Sequence, residues 1–238
     1  MNNGTLSGRS SLRLAAWLLL AGQLLYIVVT LFHADGDANH HAVAFAEYAR
    51  SGIWTAVHVG QFASMAVLLA GLFAVFFALD AQAETMRWTS RFGVAAAAVT
   101  LALYGVLQAV DGVALKQAVN AWASAPESEQ AARFATAEAI RWLEWGVRSY
   151  QDFALGLALL LLTATLARTA WAPLPIAYLV GLSGISYLVQ GGVVGSEGFS
   201  RTETIAIVSA YILDVAWMIW LVAVASRVQD SKPPLAGR

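Results

Sequence analysis

Long apolar runs alternate with short polar connections along the whole chain, and six of the runs reach transmembrane length. They fall at 14–32, 54–79, 92–115, 149–168, 174–195 and 204–226, each near the ~20 helical residues that cross ~30 Å of hydrocarbon. The pattern predicts an all-α fold, an integral membrane bundle of six transmembrane helices forming one domain over residues 1–238. The connections carry their own signals. Between the first two spans, ADGDANHHAVAFAEYARSG reads as a short interfacial helix that stops at Gly52, with Asp37, His40 and Glu47 on one face. Between the third and fourth, Ser124 and Glu127 have capping-box spacing and Pro126 stands at a helix start. Residues 126–168 therefore read as one helix of about 43 residues, about 65 Å long, and helices 3 and 4 are expected to protrude from the bilayer as a hairpin. Pro173 and Pro175 restart the chain before the fifth span, whose Gly181, Gly184, Gly191, Gly192 and Gly195 invite close helix contact.

Composition supports the membrane reading, with 59% hydrophobic and only 12% charged residues. The apolar run after Arg9 and Arg13 is about nineteen residues, longer than a signal-peptide core, and no A-x-A-like site follows it, so it reads as a retained helix. The absence of cysteine rules out disulfides, thiolate metal sites and cysteine nucleophiles. No basic patch exists to hold nucleic acid. The formal net charge of −1 conceals an asymmetry between the two ends of the spans. One set of ends carries Arg9, Arg13, Arg87, Arg91, Arg168, Arg227, Lys232 and Arg238 against Asp80, Glu84 and Asp230, while the other carries six basic residues against twelve acids. By the positive-inside rule both termini are expected in the cytoplasm of a bacterial inner membrane, with most of the polar chemistry facing outward.

Ionisable groups inside spans are costly, so each one marks a candidate functional interior. The first span offers Gln23, Tyr26, Thr30 and His33 on one stripe, the second His58 and Gln61, and the third Tyr104, Gln108 and Asp111. The fourth offers Arg148, Gln151 and Asp152, the fifth Ser183, Tyr187 and Gln190, and the sixth Tyr211 and Asp214. His58, Asp111, Asp152 and Gln190 lie about one turn from the outer ends, with Asp214 near the midplane. All six helices are thus expected to line one outward-facing cavity. A carboxylate as deep as Asp214 needs a partner, water or a proton.

The fourth span is entered by EAIRWLEWGVRSYQD, in which Glu138, Arg141, Glu144, Arg148, Gln151 and Asp152 share an arc of about 140°. Glu138 and Arg141 read as a solvated face above the membrane. Arg148 has the spacing to neutralise Asp152 and Glu144. Trp17, Trp54, Trp88 and Trp171 suit an aromatic belt, and Trp142 and Trp145 flank the stripe at the cavity mouth.

Two chemistries follow from these residue types. His58, Asp111, Asp152 and Asp214 are the candidate acid/base groups, with Gln61, Gln108, Glu144, Arg148, Tyr187, Gln190 and Tyr211 as ligand-binding residues. Alternatively, His33, His58 and Asp111 offer a donor set for a divalent metal. Haem is disfavoured, because only His58 is clearly intramembrane. No G-x-S-x-G elbow supports a serine nucleophile. The expected partners are membrane lipid and a small-molecule or lipid-like ligand. A transporter coupled through Asp214 and an accessory subunit of a larger or homo-oligomeric membrane complex are the alternatives to an enzyme.

The six-span layout, the connection DGVALKQAVNAWASAPESEQAARFATAEAIRWLEWG and the glycine-rich fifth span resemble a class of small bacterial membrane proteins described only as a domain of unknown function. The resemblance covers most of the chain. It implies a bacterial inner membrane and brings no activity, substrate or site residues.

Overall fold

The computed structural model describes residues 3–34, 37–80, 87–169 and 172–227. Asp35, Glu84, Trp171, Asp230, Lys232 and Arg238, and the side chains of Arg9 and Asp80, lie outside the described residues. The described chain is all-helical. Its helices are α1 (Asn3–Thr30), α2 (His41–Arg50), α3 (Trp54–Asp80), α4 (Arg87–Ala123), α5 (Glu127–Leu166), α6 (Leu174–Glu197) and α7 (Arg201–Arg227). Six of them, all but the ten-residue α2, are long and apolar enough to cross a membrane.

The third and fourth spans are longer than their apolar cores. α4 starts at Arg87 and α5 runs unbroken for 40 residues through Gly146 and Gly156. Nothing in α5 interrupts the backbone ladder, since its prolines stop at Pro126, and Glu127 and Glu129 favour the positive N-terminal end of the helix. The expected capping box does not form. Pro126 is the N-cap and offers no side-chain acceptor, while Ser124, at the end of α4, donates its hydroxyl to the Asn120 carbonyl instead.

Each long helix packs against the next in chain order, and α7 returns to α1, closing a ring of six. One half of the ring is filled with large apolar side chains, among them Leu19, Leu69, Leu72, Phe76, Leu162 and Trp217. α5 and α6 cross there in backbone contact. A Cβ on Gly156 would stand 2.8 Å from the Gly184 carbonyl oxygen and one on Gly184 would stand 3.0 Å from that of Gly156, so both positions need glycine. In the other half the interior is polar. At that end α2 turns Ala44, Phe45 and Tyr48 onto Trp54, Leu115, Val119 and Ala137, a second apolar cluster that seats it on α3, α4 and α5.

Candidate metal centre and polar cavity

A π-helical turn over Val110–Leu115 interrupts α4 where it passes the start of α3. A π turn widens the helix and displaces its carbonyls from their usual donors. Here α3 supplies replacements, as Trp54 Nε1 donates to the Asp111 carbonyl at 2.9 Å and Thr55 Oγ1 to the Gly112 carbonyl at 2.9 Å. Trp54 is therefore a buried structural residue and not a member of an aromatic belt. The turn brings the Asp111 carboxylate to His58, with Oδ2 2.9 Å from Nε2. Gly112 packs flat against the same histidine, and a Cβ there would lie 2.5 Å from His58 Cβ.

His33, on the turn that ends α1, completes the group. Its ring centroid lies 5.2 Å from that of His58, and one ligand atom from each of His33, His58 and Asp111 lies within 4.8 Å of the others. The two imidazoles are oriented alike. Nδ1 of His58 is 2.7 Å from the Trp54 carbonyl and Nδ1 of His33 is 3.0 Å from the Ala34 carbonyl. A carbonyl only accepts, so each Nδ1 carries a proton and each Nε2 keeps a free lone pair, that of His58 turned to Asp111. The ring planes are also held by contact, since Trp54 lies 4.5 Å from His58 and 4.7 Å from His33, and Tyr48 backs Trp54 at 4.1 Å. Burial lowers the His33 pKa below its ordinary value, which favours the neutral imidazole that binds metals. Asp111 Oδ1 is buried and accepts no hydrogen bond from the protein.

His33 and Asp111, with His58 behind them, form part of the wall of a cavity of about 400 Å³ that is lined by α1, α2, α3, α4, α5 and α7 and by the segments before α2 and α7. Tyr26 and Tyr211 lie at its deeper end, with Tyr104 packed behind Tyr26. Asp37, Gln61, Gln108, Glu144, Arg148 and Glu203 also face it, with Gln61 donating to Thr30 at 3.1 Å. Two ion pairs cross one wall. Arg148 Nε donates to Asp152 at 3.0 Å, and Arg141 Nη1 donates to Glu144 at 2.6 Å. Glu144 therefore pairs one turn earlier than its spacing from Arg148 suggests. Arg141 is only 2% exposed, not solvated. It also donates to the Ala38 carbonyl and the Tyr48 hydroxyl and lies over the Phe199 ring at 4.7 Å. Burial pushes the Tyr48 hydroxyl up to about 12, so it accepts this bond as a neutral phenol. Glu138, by contrast, is part-exposed and binds His41 at 2.8 Å, and Trp142 is exposed while Trp145 packs on His41 and Phe199.

The structure thus brings His33, His58, Asp111, Gln61, Gln108, Glu144, Arg148 and Tyr211 to one region, and it places the remaining sequence candidates elsewhere. Asp152 is buried behind Arg148. α6 turns its polar face to α7 and away from the cavity, so Gln190 donates to the Ala206 carbonyl. Tyr187 donates to Asp214 at 2.9 Å, and Trp217 Nε1 donates to the other Asp214 oxygen at 2.9 Å. Asp214 is thereby satisfied by two neutral donors within the apolar half. Glu203, with a buried and unpartnered Oε1 on the cavity wall, was not singled out in the sequence, where it reads as an ordinary first-turn carboxylate.

Gly112→Ala tests whether the π turn sets the geometry. Alanine favours helix over glycine by ~1 kcal/mol, yet its methyl must displace His58. We expect metal affinity to fall about 10- to 100-fold and the melting temperature to fall with it, because the overlap outweighs the gain in helix preference, as measured by metal titration beside an unfolding scan.

No protein-family model matches the chain, and no curated protein or solved structure is found to be similar to it. The resemblance to a bacterial class rests on general character alone, and the fold stands as a helical bundle with six candidate membrane spans.

Proposed function

We propose that His33, His58 and Asp111 bind one divalent transition metal at the cavity wall, and that the protein is a membrane-embedded metal-dependent enzyme. The observation that carries this reading is the convergence of one ligand atom from each of two imidazoles and one carboxylate within 4.8 Å, each imidazole tied back to a carbonyl through Nδ1. Ligands bound at ~2.1 Å stand ~3.0 Å apart at adjacent octahedral positions and ~3.4 Å apart in a tetrahedron. The helix-borne His58–Asp111 pair is already at that separation. His33, outside the helical ladder, supplies the remaining adjustment.

Charge accounting points the same way. Arg141 and Arg148 are matched by Glu144 and Asp152, and Lys116 spends its ammonium on the Tyr48 and Ala49 carbonyls at the end of α2. Asp111 is left with two imidazoles, and an acceptor facing Nε2 at 2.9 Å requires a shared proton or a cation. Three protein ligands beside an open cavity are the arrangement of a catalytic metal, which acts as a Lewis acid or activates water. Glu203 is the candidate proton acceptor. The donor set suits zinc or non-haem iron. Among the described residues the leucine-filled half of the ring supplies no polar path for a coupled transporter, and Asp214 within it is held by neutral donors. With both termini cytoplasmic, the cavity belongs to the outer leaflet of a bacterial inner membrane.

Titration of chelator-treated protein with Co²⁺ tests the site. Visible absorption bands should grow and saturate at about one equivalent. Featureless, unsaturable binding would sink the proposal.

A further inference from the structure

On the opposite side of the His58–Asp111 pair lies a second depression, of about 260 Å³, between α3 and α4. Its walls are apolar and open to the helix exterior, with Val59 63%, Phe62 38% and Val113 45% exposed, and Gly105 leaves its floor without a side chain. Among its lining residues Thr55, His58 and Gln108 break this character, and Thr55 gives its hydroxyl to the Gly112 carbonyl. His58 forms part of the inner wall, and Gln108 lines both this groove and the polar cavity. The Gln108 Oε1 is buried without a hydrogen-bond partner, so no bond to that oxygen fixes it between the two spaces. An apolar groove on the lipid-facing side, a polar cavity and the candidate metal ligands therefore meet at one pair of side chains.

We infer that the substrate is an amphiphile that enters sideways from the bilayer between α3 and α4, its hydrocarbon chain in the Val59–Phe62–Gly105–Val113 groove and its anionic, oxygen-donating headgroup past Gln108 in the cavity. This rests on the metal reading for the chemistry at the headgroup. The shapes and polarities are matched to that occupant. A chain leaving the bilayer for this groove keeps an apolar environment, while a phosphate or carboxylate finds in the cavity the cation proposed at Asp111 together with Arg148, which retains 13% exposure after pairing with Asp152, against the Asp37 and Glu203 carboxylates of the same wall. A purely polar solute would have no use for the groove, and a hydrocarbon without a headgroup would have none for the cavity.

The test uses the full chain, metal-loaded, in phospholipid nanodiscs with two photoactivatable probes that differ only at the head, a long-chain alkyl phosphate and the matching alcohol, each with a diazirine at mid-chain. Cross-links are mapped by mass spectrometry. The phosphate probe should label the peptides containing residues 55–62 and 105–113 about tenfold more than the alcohol does, a preference of the size expected for a charge-assisted contact. Gly105→Phe fills the groove, since a Cβ there already meets Phe62 at 3.4 Å. It should reduce that labelling about tenfold while leaving metal content unchanged. Equal labelling by the two probes, insensitive to Gly105→Phe, would identify ordinary annular lipid and overturn the inference. Inorganic phosphate that competes as well as unlabelled alkyl phosphate would also overturn it, because the chain would then contribute nothing. Metal content is read on the same samples, so a protein that binds metal but fails these tests loses the groove alone. A protein that passes them without metal loses the metal site alone.

Discussion

Replacing His58 by alanine is expected to reduce bound metal from about one equivalent to background, with affinity lowered by more than the ~100-fold that loss of a mere outer partner can cost. His58 is the hinge of the site. It touches both other donors, through its 2.9 Å contact to Asp111 and its ring contact with His33, and its orientation is fixed by the Trp54 carbonyl. Asp111→Asn should lose metal as well, because it keeps the volume and removes the charge. His33→Ala should weaken binding less, since the helix-borne pair survives. Equilibrium dialysis with elemental analysis measures all three. Metal retained at full stoichiometry in His58→Ala would place it elsewhere in the protein.

The second large effect is on folding. Arg141→Met should destabilise the protein by about 3–5 kcal/mol, because it removes one partner of a buried ion pair and strands the other. Arg141 and Glu144 are each 2% exposed and joined at 2.6 Å, and Arg141 ties α5 to the Ala38 carbonyl and to Tyr48 of α2. For a chain of this size the apparent melting temperature in detergent should fall on the order of 10 °C. The double variant Arg141→Met/Glu144→Leu should recover most of that loss, since exchanging a whole buried pair for apolar groups is often neutral. A double variant as unstable as the single one would mean that the tie to α2, and not the stranded carboxylate, carries the stability.

Much of this architecture is legible in the sequence because it rests on apolar run length, which a bilayer translates directly into helices. The 40-residue α5 is legible for the same reason, as no breaker interrupts it. Depth counting brings His58, Asp111, Asp152 and Gln190 to one level, and of these the structure joins His58 to Asp111, with His33 beside them from the turn after α1. Depth does not give azimuth. The polar stripe of α6 shows that Tyr187 and Gln190 share a face, but only the ring order reveals that this face meets α7, at Asp214 and the Ala206 carbonyl. In the sequence Arg141 reads as solvated because the charges around it resemble an exposed helix face. The missing information was α2, whose Tyr48 and preceding loop cover it. The π turn left only Asp-Gly inside an apolar span as a signal, and its stabilisers Trp54 and Thr55 lie more than fifty residues away in the chain.

The most direct measurement on the metal centre is X-ray absorption at the metal edge of stoichiometrically loaded wild-type protein. The expected spectrum has a first shell of nitrogen and oxygen at about 2.0–2.2 Å, with the outer-shell scattering of two imidazole rings. A shell of oxygen alone, without imidazole scattering, would contradict coordination by His33 and His58.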